Sequence, residues 1–106
     1  MRWPVFRVAV AGVSMAPTYL PGDFLLVRRG RRVRRGQVVV VRRPAPPALL
    51  VVKRCVGVEP DGSVRVGSDN AYAEGAADSR TFGALPPDRV VGRVICRYWP
   101  PRHTVR

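Results

Sequence analysis

The chain has 106 residues and a formal net charge of +12, which leaves room for one modest core and one site. Eleven prolines, ten glycines and many valines, with few of the residues that cover helix surfaces, predict a mainly β fold of antiparallel strands. The charge could serve nucleic acid, an acidic partner or an anionic surface, but the run "RRGRRVRRG" at 28–36 has no interleaved aromatics for base stacking. Arginine is abundant throughout, beside alanine, valine, glycine and proline, so the run reads as compositional bias and nucleic acid is not the expected partner.

Two cysteines, Cys55 and Cys96, have no metal-ligand spacing, and the one histidine, His103, lies near the end, so no zinc site is expected. Two buried free thiols are the expected state in a reducing compartment. No apolar run reaches the ~20 residues that span a bilayer. The chain therefore reads as a single domain over residues 1–106, cytoplasmic and not exported, with residues 1–8 as a lead-in and 101–106 as a frayed basic tail.

In chain order, "VFRVAVA" at 5–11 has strand composition and ends at Gly12, before the turn-forming "SMAPT" and "PGD". "FLLVRR" at 24–29 predicts a strand, the arginine run a loop, and "QVVVVRR" at 37–43 a strand closed by "PAPP". "LLVVKRCVGVE" and "VRVGS" flank the turn "PDGS" at 60–63, the best hairpin signal in the chain. Period-two alternation puts Val51, Lys53 and Cys55 on one face of the first of these strands. Residues 68–88, poor in either periodicity, predict a long loop. "DRVVGRVICRYWP" at 88–100 predicts a half-buried last strand, with Val90, Val94, Cys96 and Tyr98 on one face and Arg93 and Arg97 on the other.

Lys53 is the only lysine, and it follows the apolar run 49–52. A free lysine, with a pKa of ~10.4, cannot act as a base at neutral pH, whereas burial can bring it to ~7–8. Arginine stays protonated in any such setting. Position alone favours the reading in which Lys53 snorkels from a strand edge or pairs with an acidic residue, and the nearby serine context decides. A serine-histidine-aspartate triad would have to use His103 in the tail, where a base is poorly held. Ser14 lies in "GVSMAPT", beside a glycine that permits close backbone approach. Read alone, that stretch is also an ordinary proline turn. "SDN" at 68–70 occurs in penicillin-recognising enzymes, but these need a lysine three residues after the serine, and Pro17 stands there.

Taken together, these blocks resemble the signal peptidase I family of serine-lysine proteases from about Ala9 to Trp99. "GVSMAPTYLPGDFLLV" resembles the family's nucleophile block, "GQVVVVR" a strand block, and "VVKRCVG" the lysine block. "GSDNAYAEGAADSRTFGALP" resembles its long loop, and "VVGRV" its closing strand. The resemblance implies a compact signal-peptidase-like β domain, a fold shared with self-cleaving repressors of the LexA type. It implies Ser14 as nucleophile, Lys53 as general base, and no metal or cofactor. Gly12, Ser14 and Met15 would support the oxyanion, and the substrate would pair with strand edges near Val10 and Ala11 and near Leu50 and Val51.

Two departures from the pattern bear on the site. Gly12 stands where some members have a hydroxyl residue at the oxyanion hole. Ala76 stands where the family often has a serine orienting the lysine, so Asp69, Asn70, Asp78, Ser79 and Arg80 are expected to shape the loop while the partner of Lys53 goes unnamed. The short arginine-rich form resembles the branch that trims the precursor of nickel-type superoxide dismutase. The alternatives are a signal peptidase acting on secretory precursors through a separate anchor, and a non-catalytic basic domain binding nucleic acid.

Overall fold

The computed structural model describes residues 3–44, 46, 49–70 and 83–100. Six strands form one sheet: β1 (Val5–Ala9), β2 (Phe24–Arg29), β3 (Val38–Arg42), β4 (Leu50–Val58), β5 (Val64–Gly67) and β6 (Val90–Trp99). The order is β1-β2-β6-β3-β4-β5, and every neighbouring pair is antiparallel. This is the mainly β domain expected from composition. A single 3₁₀ turn, Pro87–Arg89, leads into β6.

The four valines of β3, Val38 to Val41, are all buried, because β3 lies between β4 and β6 and is covered on both faces. That explains a continuous apolar run where a half-exposed strand would alternate. Each fully buried valine contributes roughly 1.5–3 kcal/mol. One core cluster joins Val39, Val41, Cys55, Val64, Val66, Leu85 and Val90. Leu85 reaches it by exchanging both backbone hydrogen bonds with Val64, each 2.8 Å, on the outer side of β5.

The Asp-Gly turn forms the β4–β5 hairpin as its sequence predicts. Gly62 takes a φ of +89°, the left-handed conformation glycine adopts without a Cβ clash, and its N–H donates to the Glu59 carbonyl at 2.9 Å. The register slips between Cys55 and Gly57, where Val56 is the extra residue of a bulge.

The last strand departs from its simple alternation. Two register shifts between β2 and β6 interrupt the period, and Cys96 and Tyr98 stand exposed. The expectation of two buried thiols therefore holds for Cys55 and fails for Cys96, which is free and exposed. Most of the predicted loop at 68–88, with Asp78, Ser79 and Arg80, and the tail at 101–106 lie outside the described residues. No helix among the described residues is long and apolar enough to cross a membrane.

Candidate active site

Residues 10–23 form a loop closed at its neck. The Val10 N–H donates to the Asp23 carbonyl at 2.8 Å, and the Gly22 N–H donates back to the Val10 carbonyl at 2.9 Å. Asp23, 3% exposed, accepts the Leu20 N–H at 2.8 Å, which fixes the "PGD" turn from inside. Two tight turns, Ala16 N–H to Val13 O and Tyr19 N–H to Met15 O, shape the tip. Met15 is 1% exposed and roots the loop in the core, while Val13 stands exposed. Ser14 sits half-buried between this anchor and the exposed side.

Lys53 lies in β4 opposite Val39 of β3, on the face shared with Cys55 and Val51, as the alternation predicts. It is 5% exposed. Its Nζ donates to Ser68 Oγ at 2.8 Å. A buried amine must find hydrogen-bond partners or bear a large desolvation cost, so the snorkelling alternative does not describe this side chain.

Ser68, Asp69 and Asn70 follow one another directly after β5 and touch three different parts of the site. Ser68 meets Lys53. Asp69 accepts the Thr18 hydroxyl and, through both oxygens, the Arg54 guanidinium, with Nη2 at 2.7 Å and Nε at 3.1 Å. Asn70 donates its backbone N–H to the Ser14 carbonyl at 2.8 Å and its side-chain amide to the Val13 carbonyl at 3.2 Å. Arg54 donates further to the Gly36 carbonyl at 2.8 Å. One short segment thus ties the Ser14 loop to the strand that carries Lys53.

The electrostatics agree with this geometry. Hydrogen bonding from Arg54 holds the Asp69 carboxyl below the usual carboxylate range against the opposing effect of burial, and the same bond raises Arg54. Burial pushes the Tyr19 phenol up, partly offset by Arg54. The Cys55 thiol is likewise pushed up by burial, which makes it a poor nucleophile.

Residues 9–15 and 50–53 line one groove of about 250 Å³, and both Ser14 and Lys53 are among its walls. Val10, Ala11, Gly12, Leu50 and Val51 border it as well. A larger groove, about 560 Å³, is lined by Arg7, Val8, Ala9, Phe24, Tyr98 and Trp99 and has neither serine nor lysine in its walls. The smaller groove is therefore the candidate site.

The sequence left Lys53 without a named partner, and Ser68 fills that role. Its signal was the hairpin. Carried back from the Asp-Gly turn without a bulge, the register would set Asp69 opposite Lys53; the extra residue at Val56 moves the position to Ser68.

A family model described as signal peptidase, peptidase S26, matches residues 3–77. The chain belongs to this family. A mitochondrial ATP-independent inner membrane protease subunit 1a of Arabidopsis thaliana is 33% identical over 96% of the chain and 75% of the relative. The subunit 1b of the same plant is 35% identical over 90% and 70%. The mitochondrial inner membrane protease subunit 1 of Homo sapiens is 27% identical over 88% and 69%. S26 members are serine peptidases, which supports a protease here. The expectation of a cytoplasmic protein is overturned by these relatives, whose names place them at a membrane.

Proposed function

We propose that the chain is a serine endopeptidase in which Ser14 is the nucleophile and Lys53 the general base. The observation that carries this reading is a nearly fully buried lysine, held by Ser68 and facing the groove that Ser14 also lines. Burial disfavours the ammonium, so the amine is suited to work neutral. A neutral amine has two N–H bonds and one lone pair; giving one N–H to Ser68 restricts where the lone pair points. Lys53 takes the Ser14 proton, Ser14 Oγ attacks the substrate carbonyl, and the backbone N–H of Ser14 holds the oxyanion, with Gly12 leaving space for its approach. Lys53 returns the proton to the leaving amine, and water, activated by the same amine, releases the acyl group.

The substrate lies extended between residues 9–12 and 50–52 and adds a strand to the groove edges. We propose a precursor protein trimmed near its N-terminus. The narrower assignment to nickel-type superoxide dismutase precursor rests on resemblance of the sequence alone. The names of the relatives favour instead a precursor presented at a membrane and a chain that works beside a second subunit. Incubation with dismutase, secretory and mitochondrial inner-membrane precursors, with the cut located by mass spectrometry, separates these substrates. The reading predicts cleavage of at least one precursor by the wild type and none by Ser14→Ala. Absence of any cut across the panel, or cleavage retained by Ser14→Ala, overturns it.

A further inference from the structure

One end of the sheet holds an arginine cluster that the proposed cleavage does not use. Arg28 of β2 and Arg93 of β6 are register partners, so two like charges stand directly opposite each other, an arrangement that weakens a sheet. With Arg29, Arg31 and Arg32 they line a cavity of about 220 Å³ whose one remaining wall residue is Gly30. The Gly30 N–H donates to the Val91 carbonyl at 2.9 Å, which fixes the start of the Arg31–Arg32 loop beside β6. Arg29 is engaged elsewhere: its Nε donates to the Trp3 carbonyl at 3.2 Å and its guanidinium sits 4.5 Å from the Phe6 ring centroid.

No carboxylate is ion-paired with Arg28, Arg31, Arg32 or Arg93 among the described residues. Asp23 caps Leu20, Glu59 pairs with Arg65, Asp61 accepts the Ser63 N–H, and Asp69 holds Arg54 and Thr18. Asp88 borders an adjoining cavity together with Arg29, Arg31 and Arg42 and is ion-paired with none of them. Four arginines from two strands and a loop, besides Arg29, thus line one hollow. Compositional bias accounts for the number of arginines and not for this placement.

We infer that the hollow between Arg28, Arg31, Arg32 and Arg93 binds a phosphate group carrying two or more negative charges. Planar guanidinium forks match tetrahedral phosphate oxygens with paired hydrogen bonds. A singly charged carboxylate would leave most of the cluster unbalanced. The phosphate comes from a soluble compound or from a phospholipid headgroup, and both present the same oxygens.

The test uses the full chain and pyrophosphate as the soluble probe. Wild-type melting temperature rises by several degrees with pyrophosphate, and Arg28→Gln/Arg93→Gln loses the rise and at least tenfold in affinity. Without the probe, that variant melts no lower than wild type, because the like-charge pair is gone. Arg31→Gln/Arg32→Gln, which lies outside the strands, shows the same loss and keeps the test decisive should the strand variant misfold. A rise matched by chloride at equal ionic strength, or equal rises in wild type and both variants, overturns the inference. Phosphatidylcholine vesicles with and without phosphatidic acid separate the sources. Vesicle binding that needs phosphatidic acid and is competed by pyrophosphate assigns the headgroup; pyrophosphate binding without vesicle binding assigns a soluble compound.

Discussion

At the scale of single residues, the account turns on what surrounds one amine. Arginine fills every other basic position in the chain apart from His103, and it could not replace Lys53 because its guanidinium never gives up its proton at working pH. Lys53→Met, which keeps the packing and removes the amine, is expected to fold and to lose on the order of 10²–10⁴-fold in kcat. In the proposed mechanism Ser68, hydrogen-bonded to Lys53, is a positioning residue that acts through that amine. Ser68→Ala is expected to lower kcat on the order of 10²-fold with KM little changed, since a misaimed base costs rate without costing binding. Ser68→Thr, which keeps the hydroxyl, restores most of that loss. Steady-state kinetics on a cleaved peptide measure both; a fall in KM-side binding alone would contradict the positioning role.

At the scale of elements, strands and hairpin were legible because valine runs, Asp-Gly and proline clusters punctuate the chain. The bulge at Val56 was not, since nothing in "RCVGV" marks which residue will be left over until the two strands pair. That single slip is why Ser68 escaped sequence reading while Lys53 did not. The exposed Cys96 escaped for the same physical reason, two register shifts against β2. The segment "SDN" was read as loop structure, yet its three side chains bind both β4 and the loop bearing Ser14, which only the fold brings together. Asp69→Asn is expected to lower stability by about 1–3 kcal/mol at neutral pH by weakening the Arg54 and Thr18 bonds. Because the folded Asp69 ionises below its unfolded value of ~3.9, its contribution is present above about pH 4 and fades as pH falls through the folded value. Denaturant melts of wild type and variant should therefore converge in acid. Gly92→Ala is expected to cost at least ~1–3 kcal/mol, because a Cβ there collides with the Arg28 carbonyl across the sheet. Gly57→Ala meets only the movable end of Arg65 and is expected to cost less by the same melts.

At the scale of the whole molecule, the fold brings residues 9–15 and 50–53 to one groove, and one short segment couples the loop bearing Ser14 to the strand bearing Lys53. Apart from Arg54, which holds Asp69 beside the groove, the arginine cluster of Arg28, Arg31, Arg32 and Arg93 lines a different cavity, so the site and that cluster are separate features of one small domain. Family membership in S26 and the membrane proteases among its relatives agree with peptide cleavage and correct the reading of location. The most direct test of the central claim is mass-spectrometric detection of precursor cleavage by wild type and by Lys53→Met, with folding of the variant checked by its circular dichroism and melting. The account predicts one new N-terminus with wild type and none with the folded variant. Cleavage at the same bond by folded Lys53→Met would contradict it.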